Sequence, residues 1–488
     1  MKRKLATRWN KLALKLRQYV TPSQLVLLMT AIVMIILLFV PPISGDADNG
    51  TFLTTLHGNG LYQLHNYHYY YFDYISLKYG IMQYFNSYHH PLITTSSIFI
   101  QIAIALNKLL YSTKIFDLRF LGLTYGIFYL GALYLLTKAF VSHRKTPRDY
   151  VIALLIWFIF ADSSFIMFFN SFYLEATQYI TILYAVASYA LISRHYYRYS
   201  EPMIIIYLLA MIGFICDKQQ NTIFVVGWLF TMVGMFAIAH RRLQKFAIVL
   251  MMLVIVGVGI VSNCFVSIKY TDQNKFQSMT CGVLAMTNNP EKTLAEGGIS
   301  PQFSLLRNDP YGKTYTALKV NSPEMKKNFL DKYNYFWVTS FYIQHWPQFE
   351  NILNTAAKDG LNTQMKGLGN SQKAKGIPPK HQNHFDELFV LIMKAFFPKK
   401  FMFYALLLLV DLGIYIYVAF KGLREHKGEP IMRAMMVINL IDILIGTFFS
   451  TVIGGGDADM ANQLFMVPVT LFLLLFIFII DLLRKQLW

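Results

Sequence analysis

The sequence predicts an all-α polytopic membrane protein, and two observations lead to this fold class. Of the 488 residues, 55% are hydrophobic and 14% are charged, whereas soluble domains carry about 25% charged residues. Charge-free apolar runs such as residues 23–40 are long enough to cross a hydrocarbon core of roughly 30 Å as a helix. We therefore expect about ten transmembrane helices, interfacial helices in the first outer loop, and a small, mainly helical outer region.

The first predicted helix covers residues 23–40 and ends at Pro41 and Pro42. We expect it to remain uncleaved, because the apolar run is long and lacks a small-residue cleavage site. Nine further apolar stretches complete the ten predicted spans. They lie at about residues 119–140, 150–169, 177–193, 203–216, 222–239, 247–267, 401–420, 431–453 and 464–482.

The basic residues of the short loops predict which side of the membrane each loop faces. The first 21 residues carry seven Lys or Arg and no acid, which predicts a cytoplasmic N-terminus. Every short basic loop and the C-terminus then also lie in the cytoplasm, and the outer turns 170–178, 216–221 and 454–463 share one basic residue. The net charge of +18 is thus typical of a plasma-membrane protein and does not indicate a nucleic-acid partner. The three cysteines show neither a disulfide framework nor metal-ligand spacing.

Two outer segments are long. Residues 42–118 contain an aromatic stretch and an apolar segment, 92–110. A span at 92–110 would invert every later loop, so this segment is predicted to be an interfacial helix, with the tyrosines at headgroup depth. The aromatic run 67–74 could stack on a sugar, and an interfacial aromatic belt explains it equally well.

Residues 268–400 form the second outer segment, which translocates despite its basic charge because long loops do so regardless of charge. A helix is predicted to begin at Pro323, with Ser322 as its N-cap. Residues 367–384 are predicted to be a mobile loop, and residues 385–397 an amphipathic helix. The predicted domains are 1–267, a seven-span module that includes the outer loop 42–118, then 268–400, an extracytoplasmic domain, and 401–488, three C-terminal helices.

The tetrapeptide G-D-A-D occurs twice, each time just outside a predicted helix. In the first copy, Asp46 and Asp48 lie two residues apart in a glycine-flanked turn. Such a pair can bind a divalent cation such as Mg²⁺ or Mn²⁺ if the protein is metal-dependent, and either residue can act as a general base. Aspartates are also ordinary turn and capping residues. The second copy, with Asp457 and Asp459, could bind an acceptor or only shape a turn.

Further polar residues are predicted on the same outer face. They are Glu175, Lys218, Gln219, Arg119, His89 and His90. Ordinary interpretations exist for each of the charged ones: Lys218 can pair with Asp217, and Arg119 can anchor its helix at the headgroups. Asp162, Asp411 and Asp442 lie inside predicted spans, where they could line a polar cavity or pair with neighbours.

An outward site with acids and bases suits sugar transfer from a lipid carrier. Nucleotide sugars are not expected outside a cell, so a sugar there must arrive on a lipid phosphate. Transfer needs a carboxylate that takes the acceptor proton and a cation that stabilises the leaving phosphate. Asp46 or Asp48 would provide the carboxylate, and Lys218 and Arg119 the cations.

The sequence resembles the membrane-embedded C-type glycosyltransferases, the GT-C superfamily, which includes protein O-mannosyltransferases and the lipid A aminoarabinose transferase. The resemblance rests on "HHPLITTSSIFIQIAIALNKLL" followed by "DLRFLGLTYGIFYLGALYLLTKAF", and it covers about residues 20–267. In that family a His-Pro step opens an interfacial helix and an Arg-Phe or Arg-Leu step begins the second span. His90-Pro91 and Arg119-Phe120 match those steps.

The resemblance implies roles for individual residues. The catalytic acid lies in the first outer loop, which here means Asp48 or Asp46, and a further acid often lies in the second outer loop, where Glu175 fits. Lys218 and Arg119 would bind the donor phosphate. The acceptor or sugar would meet the remaining outer residues, which are His89, His90, Gln219, Asp457 and Asp459. The acidic loop departs from the family pattern, because its two acids are not adjacent.

The predicted function is a bacterial plasma-membrane glycosyltransferase with an outward active site. A polyprenyl-phosphate sugar is the expected donor, and a teichoic acid, polysaccharide or other envelope glycan is the expected acceptor. A donor synthase and a flippase are possible partners. A lipid-linked glycan flippase or transporter is the first alternative, which predicts inverted repeats and broken helices. A surface-polysaccharide polymerase and a non-catalytic assembly protein are the others.

Overall fold

The computed structural model describes residues 19–64, 70–84, 94–142, 146–194, 199–264, 268–311, 319–364, 367–458 and 460–487. Within these ranges the chain is mostly helical. The membrane-type helices, in chain order, are α1 (Pro22–Phe39), α4 (Arg119–Phe140), α5 (Pro147–Phe160), α7 (Glu175–Ser193), α8 (Ser200–Ile215), α9 (Val225–Met235), α10 (Arg242–Cys264), α18 (Phe401–Arg424), α19 (Gly428–Gly455) and α21 (Met466–Arg484). The remaining helices are α2 (Phe52–Gly58), α3 (Thr95–Leu110), α6 (Ser163–Ile166), α11 (Ile268–Gln277), α12 (Leu284–Met286), α13 (Pro290–Glu296), α14 (Pro323–Asn328), α15 (Tyr335–Gln344), α16 (Trp346–Asp359), α17 (Leu388–Phe396) and α20 (Met460–Gln463).

A helix thus occurs at each of the ten predicted span positions, but not every one is long enough to be a span. Seven helices of the described chain have the length and apolar composition to cross a membrane, and the number rises to eight if a bent pair is counted as one span. That pair joins α5 to residues 163–170 at an angle of 53°. The helix α8 is shorter, and α9 has 11 residues. The polytopic class is supported, whereas the count of ten is not.

Local sequence signals explain where several helices begin. Helix α1 begins at Pro22 because Thr21 and Gln24 form a reciprocal capping box, in which the Thr21 Oγ1 accepts from the Gln24 N–H at 3.2 Å. Helix α5 begins in the same way with Thr146 and Asp149. These caps satisfy N–H groups that have no partner inside the helix.

The first outer loop also contains strands, which the sequence pattern did not predict. Three short strands, β1 (Leu61–Tyr62), β2 (Lys78–Ile81) and β3 (Ile115–Asp117), form an antiparallel sheet in the order β1-β2-β3. The sheet forms because alternate aromatic side chains can be buried on one face. The rings of Tyr79 and Phe116 pack on the ring of Phe172. The distance to the Phe172 ring centroid is 5.0 Å from the Tyr79 centroid and 6.3 Å from the Phe116 centroid. Within the aromatic run 67–74, Tyr74 is buried at 6% exposure, whereas Tyr71 and Phe72 are 46% and 43% exposed. Helix α3 confirms the helix predicted within residues 92–110, and its interfacial position stays a prediction.

The second outer segment is mainly helical, as predicted. Helix α14 begins at Pro323, and Ser322 accepts from the Met325 N–H at 3.2 Å, which confirms the predicted cap. The predicted helix at 385–397 is present as α17. Residues 367–384 form no helix, but they are not simply a free loop, because several of their backbone groups are hydrogen-bonded to the first outer loop.

Candidate functional site

The first G-D-A-D segment, residues 45–48, is held in an extended form between two distant parts of the chain, and we name it the acidic segment. On one side the Gly45 and Ala47 N–H groups donate to the carbonyls of Asn370 and Gly369, each at 3.0 Å. The residues Ser44 and Ser371 form an antiparallel bridge at the same place. We name residues 369–372 the strap. Because the strap supplies the missing backbone partners, residues 44–47 can be buried without leaving their peptide groups unsatisfied.

The other side of this segment is held by the turn that follows α6. The Asn170 side-chain amide donates to the Ser44 carbonyl at 2.9 Å, and the Tyr173 hydroxyl donates to the Ala47 carbonyl at 2.9 Å. Gly45 is required here, since a Cβ at this position would lie 2.5 Å from the Asn170 carbonyl oxygen. These contacts set the direction in which the Asp46 side chain leaves the backbone.

Asp46 is a buried carboxyl group that lacks a full set of hydrogen bonds. The residue is 6% exposed, and its Oδ2 has no hydrogen-bond partner among the described residues. Burial, and secondarily the negative charge of Glu175, raises the pKa of Asp46 from 3.8 to about 7. A carboxyl group with such a pKa exchanges its proton near neutral pH, as a general base must.

Asp48 has a different role in the same loop. Its Oδ1 accepts from the Gly50 N–H at 2.7 Å and from the Phe52 N–H at 3.1 Å. These bonds form an Asx-type turn and satisfy an N–H group at the start of α2. The ordinary turn interpretation therefore describes Asp48, whereas it does not describe Asp46.

Glu175 lies close enough to Asp46 for its charge to raise the pKa of Asp46, and Lys218 and Asp217 lie beside Glu175. We name Asp46, Glu175, Asp217 and Lys218 the acidic cluster. Glu175 is 1% exposed at the first position of α7, and its Oε1 lies 2.5 Å from the Lys218 Nζ. Lys218 was expected to pair with Asp217 in the ordinary interpretation, but its direct partner is Glu175. Lys218 is thus paired with a buried carboxylate, and its side chain is 18% exposed, against 43% for Arg119.

Asp217 is the member of the acidic cluster that sequence reasoning missed as a site residue. It is fully buried, and its Oδ1 accepts from the Ser96 N–H at 3.1 Å. Burial raises the pKa of Asp217 well above its usual range, and the Lys218 charge opposes this only in part. Its position beside Lys218 in "CDKQQN" was visible, but the sequence does not show that α3 covers it.

Arg119 begins α4, as predicted, but it does not join the acidic cluster through any ion pair or hydrogen bond of the described residues. Its guanidinium forms a bidentate pair with Asp117, with an Nη2–Oδ2 distance of 2.7 Å and an Nε–Oδ1 distance of 2.9 Å. The Arg119 side chain is 43% exposed. Gly122, one turn later, packs against the Asn170 side chain, so the start of α4 lies next to the acidic segment.

The second G-D-A-D copy is built differently. Asp457 is exposed, and its N–H donates to the Cys281 carbonyl at 3.0 Å. Burial of part of the carboxyl group, together with the nearby charge of Asp359, raises the pKa of Asp457. The Gln219 amide donates to the Asn263 side chain at 3.4 Å. Among the described residues, neither the Asp457 side chain nor the Gln219 side chain forms a hydrogen bond or ion pair with the acidic cluster.

Three predicted site residues, His89, His90 and Asp459, lie outside the described residues. The described residues contain no group of three or more His, Cys, Asp or Glu that could hold a metal ion. Two backbone N–H groups donate to the Asp48 Oδ1. The metal-binding role of the Asp46 and Asp48 pair stays a prediction.

Comparison with known proteins gives one match. The model of the family described as "YfdI N-terminal transmembrane domain" matches residues 7–488. No curated protein matches the chain, and no solved structure matches it. The matched range includes the acidic segment, the strap and every membrane-type helix described above.

Proposed function

The chain belongs to the YfdI N-terminal transmembrane domain family, and we propose that it acts as a membrane glycosyltransferase. It moves a sugar from a polyprenyl-phosphate donor to an envelope glycan, a teichoic acid or a similar acceptor. The site faces outward from the plasma membrane. The residue-level resemblance to the C-type glycosyltransferases, which places a catalytic acid in the first outer loop, supports this proposal.

The observation that carries the proposal is the state of Asp46. A general base works best when its pKa lies near the working pH, and the pKa of Asp46 is raised to about 7. Its unpartnered Oδ2 is the atom that accepts the proton of the acceptor hydroxyl. Removal of this proton makes the hydroxyl oxygen a better nucleophile as the bond between the sugar and the donor phosphate breaks.

The other charged residues have supporting roles in the proposal. Lys218 holds the Glu175 carboxylate beside Asp46, and that negative charge favours the protonated form of Asp46 after transfer. Arg119 is half exposed next to the acidic segment, so it is better placed than Lys218 to meet the leaving phosphate. Its bond to Asp117 fixes the direction of the guanidinium.

Access to Asp46 requires a movement of its surroundings. The Oδ2 is shielded from solvent, and the backbone on both sides of Asp46 is bonded to the strap. A substrate therefore reaches Asp46 only when the strap separates from residues 44–47. In the proposal, the strap closes over the site in the resting state.

The test uses the full-length protein in proteoliposomes with radiolabelled polyprenyl-phosphate hexoses and an envelope glycan fraction. The expected result is label in the glycan together with release of polyprenyl phosphate. Asp46→Asn should abolish both signals. Transfer at the wild-type rate by Asp46→Asn would refute the assignment of the base.

One observation favours a second candidate, a transporter of lipid-linked glycans. Such proteins use broken helices, and the α5 pair is bent by 53° next to Asp162. However, the Asp162 carboxylate accepts from the Ser164 and Val390 N–H groups at 3.0 and 3.1 Å, so it stabilises the break. Translocation of a fluorescent polyprenyl-phosphate sugar past a membrane-impermeant quencher, without sugar release, would favour this candidate.

A further inference from the structure

A large cavity lies at the end of the helix bundle opposite the acidic cluster. Helix α7 begins with Glu175 in the acidic cluster and ends with Ser193 in the wall of this cavity, a separation of about 28 Å for 19 helical residues. The volume is about 510 Å³, and a second cavity of about 50 Å³ adjoins it and shares Glu429 and Arg433. We name the two together the basic cavity. The larger volume is within the usual range for small-molecule sites.

The basic cavity has more cationic than acidic side chains. Its walls contain Lys421, Lys427, Arg194, Arg433 and Arg484, against Glu425, Glu429 and Asp481. His240 and His426 add to the wall. Lysine and arginine side chains are the groups that bind phosphate in proteins.

Two of these cations form ion pairs within the cavity wall: Lys427 pairs with Glu425 at 2.7 Å, and Arg433 pairs with Glu429 and Asp481 at 3.0 and 3.4 Å. The other three form no ion pair with a carboxylate among the described residues. Arg194 donates to the Lys138 and Val141 carbonyls at 3.2 and 3.1 Å, and Arg484 donates to the Phe140 carbonyl. Lys421 forms no ion pair within the described part of the chain. Burial, and then the nearby charge of Arg484, lowers the pKa of Arg194 to about 10, which leaves it charged at neutral pH.

A helix N-terminus adds to the positive potential. Helix α19 begins at Gly428, and Gly428, Glu429 and Pro430 line the cavity. No side chain caps this N-terminus, so its free N–H groups and the helix dipole favour an anion. The cations and the helix end are two features of the cavity wall that favour an anionic ligand.

The surroundings of the cavity indicate where the ligand comes from. On α18, Phe420 and Leu423 flank Lys421 in sequence and are 65% and 61% exposed. They lie on a helix that is apolar enough to span a membrane. An amphiphile with its charged group at Lys421 can therefore lay its acyl chains against exposed apolar side chains. A free phosphate ion makes no use of these neighbours.

We propose that the basic cavity binds the phosphate headgroup of an anionic membrane lipid at the predicted cytoplasmic end of the bundle. Lys421, Lys427 and the α19 N-terminus contact the phosphate. The cavity wall also contains Arg194, Arg433 and Arg484, which add to the positive electrostatic potential around the phosphate. Basic pockets between transmembrane helices are known to take phosphate headgroups. This site is separate from the proposed transferase site and does not depend on it.

The test measures lipid binding by the full-length protein in detergent with native mass spectrometry. Phosphatidylglycerol is the probe, and phosphatidylcholine is the zwitterionic comparison. The test variant is Lys421→Gln with Lys427→Gln. The control variant is Arg424→Gln with Lys245→Gln, which removes the same charge from exposed residues that do not line the cavity. Each lysine is worth about a fivefold change in affinity near an anionic headgroup.

The expected result is preferential binding of phosphatidylglycerol by the wild type, a dissociation constant about 25-fold larger in the test variant, and a change of less than about twofold in the control. Equal loss in both variants, or equal binding of phosphatidylcholine, would overturn the proposal. Displacement of the lipid by millimolar inorganic phosphate would overturn the lipid source. Lys421→Gln alone, with its fold checked by thermal unfolding, covers the case in which the double variant does not fold.

Discussion

Replacement of Asp46 by Asn tests the general base with a minimal change in shape. The amide occupies the space of the carboxyl group, but it cannot accept a proton at neutral pH. General-base catalysis contributes about 10²- to 10⁴-fold, so we expect the transfer rate from a polyprenyl-phosphate hexose to fall at least about 100-fold. In the wild type the rate should rise with pH up to about 7, because the pKa of Asp46 is raised to that value and only the ionised form accepts a proton.

The same substitution has an effect on stability that does not depend on any activity. The pKa of Asp46 rises from 3.8 to about 7 on folding, which corresponds to about 4 kcal/mol. The folded protein keeps this proton between pH 4 and 7, whereas the unfolded chain releases it. The contribution of the protonated Asp46 to the free energy of unfolding is therefore fully present below pH 4 and is lost as the pH rises through 7. The Asn variant has no such loss, so its thermal stability relative to the wild type should increase between pH 4 and pH 8.

Asp48→Asn is the matched control, because asparagine can still accept from the Gly50 and Phe52 N–H groups. We expect this variant to keep most of its activity. Asp48→Ala removes both bonds and should cost about 1–3 kcal/mol of stability. The reasoning would be refuted if Asp48→Asn lost activity while Asp46→Asn kept it. It would equally be refuted if the stability difference between Asp46→Asn and the wild type did not change with pH.

Three further results are expected. Lys218→Met should destabilise the protein by about 3–5 kcal/mol because it leaves the Glu175 charge buried alone, and Glu175→Gln in the same chain should recover most of that in thermal unfolding; no recovery would contradict the ion pair. Ser44 and Ser371 form an isolated antiparallel bridge. The double variant Ser44→Cys with Ser371→Cys should form a disulfide that stops transfer until a reductant is added. Full activity of the oxidised form would contradict the opening of the strap. Arg119→Lys keeps the charge but loses the two-pronged contact, so KM for the donor should rise several-fold with kcat nearly unchanged, and an unchanged KM would remove Arg119 from the donor site.

The helices were predictable because their signals are local. Each helix is indicated by residues within about 20 positions of it in the sequence. These signals are an apolar run, a Thr-Pro start such as Thr21-Pro22, and basic residues in the loop at one end. The lengths of the individual transmembrane helices were predicted less well. The stretch read as one span at 150–169 is broken at Asp162, because the Asp162 side chain caps the Ser164 N–H and starts a new short helix. An Asp-Ser-Ser sequence inside an apolar run is a visible signal for such a break.

The state of Asp46 was not predictable, because it depends on residues far away in the sequence. The strap is more than 300 residues from the acidic segment, and it lies in residues 367–384, which were predicted to be a mobile loop because they are rich in Gly, Lys and Pro. Its backbone carbonyls, rather than its side chains, hold the acidic segment. A backbone hydrogen bond does not require a particular side chain, so the amino-acid sequence does not indicate it. The small sheet was missed for a related reason, since β2 and β3 are separated by α3.

The two G-D-A-D copies show why a repeated motif does not predict a repeated role. Both glycines allow close backbone contact, since a Cβ on Gly45 would meet Asn170 and one on Gly456 would meet Gly282. The following aspartate then has opposite environments: Asp46 is 6% exposed, whereas Asp457 is exposed. The motif thus specifies a turn that another backbone can approach, and the covering segment decides whether the carboxyl group is buried. The strap covers the first copy, and burial there raises the pKa of Asp46 to about 7, near the value that general-base catalysis requires. The pKa of Asp457 is also raised, by burial of part of its carboxyl group and by the charge of Asp359, but Asp457 lies exposed.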